Sequence, residues 1–220
     1  VTALVKRLGL PDNVQTNDLG QFWQWADRDG LDREVYTDDD LDVESVLVAP
    51  ARAGSTSQPS EAPVLGVAID RAKATISATG AGPLVAKPVV KNALVWPLDA
   101  GYLVAETDGV AVLRLRAVDV DVARRFGYAG DPLIAPPHTA PVLVRQLLPP
   151  WQPPGQGTVI VRVAIDATGK PVDEKVIVPS GDSDVDWFEL DSMKISLFRP
   201  ATCAGVPCAG VYLDIGGLMR

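Results

Sequence analysis

The clearest strand signal in the C-terminal part of the chain runs from Thr158 to Asp166 and reads Thr-Val-Ile-Val-Arg-Val-Ala-Ile-Asp. Its odd-numbered positions, from Val159 to Ile165, are all apolar, whereas the even-numbered positions include Thr158, Arg162 and Asp166. Alternation with a period of two is typical of a strand that is buried on one face. The pattern therefore predicts a half-buried strand over 158–166.

Two further strands are predicted downstream of this one. Residues 167–170 have the composition of a turn, and the valine-rich segment 172–178 follows them as a second strand. Together with the strand over 158–166, they predict a hairpin. Further along, the odd-numbered positions of 211–215 are apolar and alternate with Tyr212 and Asp214. This alternation predicts a third strand over 211–215.

A helix is predicted between the second and third strands. Asp184 or Asp186 can cap its N-terminus, and Pro200 ends it just after Phe198. The resulting order is strand, strand, helix, strand. We therefore expect an α+β fold class, with a β-β-α-β module of one three-stranded antiparallel sheet and one helix over 155–220.

Residues 1–131 predict a separate mixed domain of one helix and several antiparallel strands. Apolar residues from Leu19 to Ala26 recur at helical spacing ahead of Gly30, so a helix is expected from Asp18 to Asp29. Asp108-Gly109 between two apolar runs is a strong hairpin signal. The strands are expected at 46–49, 64–69, 74–78, 101–105 and 110–118.

Proline marks the predicted boundary between the two domains. Eight prolines fall within the 23 residues from Pro132 to Pro154. Proline lacks the N–H that strand pairing requires and favours extended backbone, so the segment 132–154 predicts a semi-rigid connector. Within it, residues 142–148 are rich in leucine and valine and are expected to form a short docked strand or turn.

The two cysteines carry information about the compartment. Cys203 and Cys208 are separated by Ala-Gly-Val-Pro, and Gly205 and Pro207 favour a tight reversal that would bring the sulfur atoms together. Their spacing does not match a zinc or Cys-x-x-Cys motif, and no histidine is near them in the sequence. We expect a disulfide, with two buried free thiols as the alternative. A disulfide indicates an oxidising compartment such as a bacterial periplasm.

Composition and charge exclude several classes of function. The formal net charge is −8, which disfavours nucleic acid as a partner because phosphate binding depends on cationic residues. The longest apolar stretches run about eight residues, well short of the roughly 20 that a spanning helix needs. The acidic run 38–44 lacks the glycine and distal glutamate of an EF-hand, so a solvated turn is expected there.

No catalytic site is predicted. A single histidine, His138, lies in the proline-rich segment, and two cysteines leave too few ligands for a four-ligand metal centre. Gly169-Lys170 lacks the glycine and the Ser/Thr of a P-loop. We therefore expect a protein that is not an enzyme and that needs no metal, nucleotide or prosthetic group. A hydrolase or ligand-sensing role for the N-terminal domain is the remaining alternative.

Four short motifs resemble a known family. They are Val-x-Val-x-Ile-Asp-x-x-Gly-Lys-Pro-Val at 161–172, Val-Pro-Ser-Gly at 178–181, Phe-Arg-Pro-Ala at 198–201 and Gly-Val-Pro at 205–207. In this order they resemble the C-terminal domain of TonB-type energy transducers, over about residues 155–217. The chain departs from the family's pattern in its cysteine pair and in its large N-terminal domain. It also lacks the Tyr-Pro that precedes the first strand in typical members.

The resemblance implies a periplasmic docking module. In that family the last strand of the sheet accepts an extended segment of an outer-membrane transporter by strand addition. Here the accepting edge would be the strand formed by Gly210, Val211, Tyr212, Leu213, Asp214 and Ile215. We expect Tyr212 and Asp214 on the sheet face away from the helix, and Arg162 on the outer face of the first strand as a contact for an acidic partner.

Partners and location follow from the same resemblance. The expected partner is an outer-membrane transporter or another envelope protein, with an inner-membrane motor complex as a further partner. The alternative is a structural subunit of an envelope or secretion assembly that forms a homodimer through the same sheet edge. The resemblance also implies a membrane anchor, supplied by a segment outside this sequence. No signal-peptide core follows Val1, so either a leader or anchor was removed or the protein never had one.

Overall fold

The computed structural model describes residues 1–28, 30–50, 67–70, 75–78, 93–107, 112–129 and 136–218. These residues form seventeen strands and three helices. In chain order the elements are α1 (Thr2–Leu8), β1 (Asn13–Asn17), β2 (Gly20–Arg28), β3 (Leu31–Thr37), β4 (Val43–Pro50), β5 (Val67–Asp70), β6 (Thr75–Ala78), β7 (Ala93–Leu98), β8 (Gly101–Thr107), β9 (Val112–Val118), α2 (Val120–Arg125), β10 (His138–Thr139), β11 (Val142–Arg145), β12 (Gly157–Ile165), β13 (Pro171–Val178), α3 (Ser183–Ile195), β14 (Leu197–Arg199), β15 (Ala201–Cys203), β16 (Val206–Cys208) and β17 (Gly210–Leu218).

The predicted α+β fold class is wrong, because the described part of the chain is mostly β. A seven-stranded sheet has the order β1-β2-β3-β4-β9-β8-β7. Four smaller sheets have the orders β13-β12-β17, β10-β15-β16, β11-β14 and β5-β6. The prediction recognised individual strands by their alternation, but alternation does not say which distant strands associate or how many enter one sheet.

The helix predicted from Asp18 to Asp29 is wrong, since β2 occupies this segment. Gln21, Trp23 and Trp25 are fully buried, and the residues between them are more exposed, which is the period of a strand. The apolar residues of this stretch fit a period of two as well as a period of 3.6. Two tryptophans and a phenylalanine favour the strand, because aromatic side chains pack well on a pleated surface.

By its internal contacts the chain divides into two compact units. Unit 1 comprises Val1–Trp23, Thr37–Asp42 and Pro136–Arg220, and unit 2 comprises Gln24–Tyr36 and Val43–Ala135. This grouping differs from the predicted division at residues 131 and 154, because N-terminal segments belong to the same unit as the C-terminal region. Independent folding of the predicted domains stays a prediction.

Unit 2 contains most of the strands predicted in the first half of the chain. β8 and β9 pair antiparallel, with Ala105 opposite Leu115, as the Asp-Gly hairpin signal predicted, although the turn residues 108–111 lie outside the described residues. β4 pairs with β9 in turn. Of the predicted strands 64–69 and 74–78, the described parts form the antiparallel pair β5 and β6. The buried core lies between β7, β8, β9 and α2.

The C-terminal part of unit 1 contains β12, β13, β17 and α3. The apolar odd-numbered residues of β12, from Val159 to Ile165, form a core with Met193 of α3 and with Phe198. Asp182, rather than the predicted Asp184 or Asp186, caps the helix, since its side chain accepts the N–H of Asp184 at 2.9 Å. None of the three described helices has the length and apolar character needed to cross a bilayer.

The described part of the predicted proline-rich connector, residues 136–154, is integrated into unit 1. β10 pairs with β15, and β11 pairs with β14. The strand β11 confirms the expectation of a short docked element within 142–148. The prolines of this segment lie beside these strands and not within them, so the strands keep the backbone N–H groups that pairing requires.

Candidate functional site: the outer edge of the last strand

The strand β17 has one edge paired and one edge that faces away from the sheet. Its inner edge pairs antiparallel with β12 along its whole length, from Gly210 opposite Ile165 to Leu218 opposite Gly157. In an antiparallel ladder, successive residues direct their N–H and C=O groups alternately toward and away from the partner strand. The odd-numbered residues of β17 supply the outer edge.

The first half of the outer edge is bonded by the chain's own N-terminal segment. β1 lies along β17, and the backbone N–H of Leu213 donates to Thr16 Oγ1 at 2.8 Å. Gln21 Nε2 donates to the carbonyl oxygen of Val211 at 3.1 Å. The structure therefore places β1 and the start of β2 where the predicted partner strand would pair.

Gln21 links the N-terminal segment that lies along β17 to a buried polar network. Its side chain is fully buried. The hydroxyl of Thr16 donates to Gln21 Oε1 at 2.7 Å, and Gln21 Nε2 also donates to Asp39 Oδ1 at 3.2 Å. Because a buried amide without partners is costly, these bonds hold the segment in one register against β17. Protection of a strand edge by the chain itself is a common way to prevent association.

Tyr212 and Asp214 lie on the face opposite to the one predicted. Tyr212 is paired with Val163 and Asp214 with Val161, and directly opposed residues share a face of the sheet. Both valines belong to the core beneath α3, so Tyr212 and Asp214 point toward the helix. The Tyr212 ring contacts Phe198 with centroids 5.4 Å apart. The prediction differed because Val211 and Leu213, on the other face, are buried too, so apolar alternation did not identify the helix side.

Arg162 is engaged inside unit 1 instead of being presented to an acidic partner. Its Nε donates to the carbonyl oxygen of Asp39 at 2.9 Å, and its guanidinium lies 3.6 Å from Asp173 Oδ2. Asp39 belongs to the predicted acidic turn, which Asp38 closes by accepting the N–H groups of Asp40 and Asp42.

The second half of the outer edge opens onto a groove of about 880 Å³. The backbone of Ile215 lies here, and among the described residues no hydrogen-bond partner of its outward N–H and C=O is found outside the β12 ladder. Apolar side chains also line the groove, among them Trp151, which packs edge-on against Phe188 with ring centroids 5.4 Å apart. The groove is lined by Gln146, Leu148, Pro149, Pro150, Trp151, Gln152, Thr158, Phe188, Glu189, Asp214, Ile215, Gly216 and Gly217.

A pair of carboxyl groups lies at one side of this groove. Glu189, only 3% exposed, shares a hydrogen bond with Asp214 and accepts the backbone N–H of Gly217. Gln146 Nε2 donates to Glu189 Oε1 at 3.4 Å. A Cβ at position 216 would overlap the Glu189 carboxyl group, so any other residue there would displace that side chain. Two carboxyl groups that share a hydrogen bond hold a proton between them, because two adjacent negative charges repel each other.

The environment of the pair shifts its ionisation. Burial, and then the charge of Asp214, raises the pKa of Glu189 to about 7. Burial also raises the pKa of Asp214. Burial, followed by the charge of Asp214, raises the pKa of Tyr212 to about 12, so this phenol stays protonated at physiological pH and donates a hydrogen bond to Asp214. The arrangement favours the entry of a cationic group, which would let both carboxyl groups ionise.

The raised pKa of Glu189 predicts a stability that falls as pH rises. Its folded pKa, about 7, lies above the ordinary value of 4.5. The protonated form is thus the one that the fold favours; its contribution is fully present below pH 4.5 and is lost as pH rises through about 7. We expect the free energy of unfolding to decrease by about 2 kcal/mol between about pH 5 and pH 8, measured by urea denaturation.

The change Glu189→Gln separates the titration of Glu189 from that of the other carboxyl groups of the chain. We expect the variant to flatten the pH dependence over that range, because glutamine carries no titrating proton. Asp191→Asn removes a half-buried carboxyl group from the same helix and should leave the slope unchanged. An unaltered slope in Glu189→Gln would contradict the assignment.

Several residues of this site carried no signal in the sequence. Thr16, Gln21 and Glu189 lie far from the β17 stretch along the chain, and polar residues of these types are common on surfaces. Trp151 does have a signal, because it is an aromatic residue just ahead of the predicted C-terminal module. The chain matches no protein-family model, no curated protein and no solved structure with which it was compared.

Proposed function

We propose that this chain is a protein-binding module that captures a short extended segment of another envelope protein in the groove beside Ile215. The observation on which the proposal rests is the outward backbone N–H and C=O of Ile215, which border a groove lined by aromatic and apolar side chains. An added strand would bond its backbone to Ile215 and place alternate side chains against Trp151 and Phe188. Main-chain bonds would provide affinity, and the groove walls would provide selectivity.

The charge of the groove selects the kind of segment. Among the residues that the structure describes, its lining contains Glu189 and Asp214 and no lysine, arginine or histidine. A captured segment with one Lys or Arg flanked by apolar residues complements this lining. The negative net charge of the whole chain would assist the approach of such a segment.

The proposed compartment is the periplasm of a bacterial envelope. Cys203 and Cys208 form a disulfide, as expected from their spacing, and disulfides persist in oxidising compartments. The motif resemblance to TonB-type transducers suggests an outer-membrane transporter as the class of partner. Because Gln21 of β2 already bonds the edge at Val211 and Thr16 of β1 bonds it at Leu213, capture would be confined to the stretch around Ile215.

An NMR titration of the isotope-labelled chain of 220 residues tests this proposal. Peptides that carry one lysine within an alternating apolar segment would be added, with the same peptides bearing glutamate in place of lysine as a charge control. We expect amide shifts concentrated on 214–217 and on 148–152, and weaker binding of the glutamate peptides. Absence of shifts at about 1 mM peptide would overturn the proposal.

Two variants locate the binding surface. Ile215→Pro removes the outward N–H while leaving the β12 ladder intact, and should abolish the shifts. Trp151→Ala should weaken binding by about tenfold, which is the loss of roughly 1.4 kcal/mol. Trp187→Ala is the matched control, since Trp187 lies on α3 outside the groove lining and is 62% exposed. Equal effects of the two tryptophan changes would contradict the location.

A further inference from the structure

The disulfide and the chain's single histidine lie together on one small sheet. β10 pairs with β15 so that His138 is directly opposite Cys203, although the two are 65 positions apart in the sequence. β15 pairs with β16, with Cys203 opposite Val206 and Ala201 opposite Cys208. The two sulfur atoms and an imidazole nitrogen all lie within 4.8 Å of one another.

The position of His138 is held by bonds that do not involve the disulfide. The backbone N–H of Ala204 donates to the carbonyl oxygen of Pro137 at 2.8 Å. Thr139 Oγ1 accepts the N–H of Thr202 at 3.2 Å and lies 2.8 Å from Thr202 Oγ1. The three strands would therefore keep the histidine beside the cysteines after the sulfur–sulfur bond is broken.

The turn between the cysteines also favours a retained geometry. Ala204 and Gly205 both have positive φ angles, of 51° and 81°, and they link β15 directly to β16. Two consecutive residues of this kind form the tight turn that matches the twist of paired strands. The hairpin is thus a property of the backbone, and the disulfide reinforces it.

We propose that the reduced chain binds Zn²⁺ through Cys203 Sγ, Cys208 Sγ and an imidazole nitrogen of His138, with water as the fourth ligand. Zinc takes thiolate and imidazole ligands at about 2.3 Å and 2.0 Å in tetrahedral geometry, so the sulfur atoms would separate to about 3.8 Å. The present ligand span of 4.8 Å already encloses such a site. His138 and Cys203 are exposed, so the ion and the reductant have access from solvent.

Before zinc can bind, the Cys203–Cys208 disulfide must be reduced, and a dithiol can supply the two electrons. One thiolate of the reductant attacks a sulfur of the Cys203–Cys208 bond, the second resolves the mixed disulfide, and the dithiol leaves as its own disulfide. Two electrons and two protons thus pass to the cysteines. Zinc binding then releases both thiol protons, so the disulfide and the metal are mutually exclusive states of the same site.

The test uses the chain of 220 residues, reduced with a phosphine that does not chelate zinc. The phosphine takes an oxygen atom from water and becomes a phosphine oxide as the disulfide is reduced to two thiols. Zn²⁺ would be titrated by competition with a chromophoric chelator, and Co²⁺ would report thiolate ligation through its sulfur-to-metal absorption. We expect one equivalent to bind to the reduced chain and none to the oxidised chain.

The variant His138→Gln distinguishes the three-ligand site from an ordinary dithiol. We expect it to weaken zinc binding by about tenfold or more, because it removes the only nitrogen ligand. Cys203→Ser with Cys208→Ser should abolish both binding and the absorption band. Equal affinity of His138→Gln and the unchanged chain would overturn the proposal, as would absence of binding to the reduced chain or loss of its circular dichroism spectrum on reduction.

Discussion

Replacement of Trp23 by alanine is expected to lower the free energy of unfolding by about 3–5 kcal/mol. The side chain is completely buried in unit 1, and its indole N–H donates to Thr37 Oγ1 at 3.3 Å. Truncation removes a large apolar surface from the core, leaves a cavity and deprives the buried threonine of this donor. Urea denaturation followed by far-UV circular dichroism measures the change.

Two other substitutions separate the causes of this loss. Trp23→Phe retains most of the apolar surface and should cost less, the remainder reflecting the lost hydrogen bond. Trp187→Ala removes the same side chain from an exposed position on α3 and should change the free energy of unfolding by less than about 1 kcal/mol. Comparable losses at Trp23 and Trp187 would contradict the placement of Trp23 in a strand whose odd-numbered side chains are buried.

Replacement of Gln21 by alanine is expected to lower the free energy of unfolding by about 2–4 kcal/mol. This change leaves three polar groups without the side chain that pairs them: the hydroxyl of Thr16, the carbonyl oxygen of Val211 and the carboxylate of Asp39. It also loosens the segment that covers the β17 edge.

Gln15→Ala provides the matched control for the Gln21 substitution. Gln15 lies on β1 but is exposed, and its side chain donates only to Asn13. We expect a change within about 0.5 kcal/mol. In addition, sedimentation of Gln21→Ala should detect self-association, because an uncovered strand edge pairs readily with another chain. A stable, monomeric Gln21→Ala variant would contradict the covering role of the N-terminal segment.

The parts of the fold that were predicted correctly are those with strong local patterns. Residues 158–166 alternate over their full length because one face of β12 meets α3, and this strand has nearly the expected limits. The pair β8 and β9 flanks an Asp-Gly turn signal and has the expected partners. In each case the period or the turn chemistry was compatible with one secondary structure only.

The failures occurred where the local pattern fitted two structures. The stretch from Leu19 to Ala26 satisfied a helical period while its alternate residues, including Trp23, were also correctly spaced for a strand. For Tyr212 the strand was predicted correctly and the face was not, since the side chains of Val211 and Leu213 on the other face of β17 are buried as well. Burial on two faces removes the contrast between polar and apolar positions that identifies the core side.

The local features of this protein could be predicted from short stretches of its sequence: the strands of the C-terminal region, their intervening helix, the hairpin turns and the disulfide between Cys203 and Cys208. These depend on residues a few positions apart. Three contacts became visible only in the three-dimensional structure. Thr16 and Gln21 bond the β17 edge, Glu189 shares a hydrogen bond with Asp214 beside the groove, and His138 lies next to the cysteines. Each of these contacts joins residues far apart along the chain, so it depends on which strands pair, and strand pairing is a property of the whole packed chain.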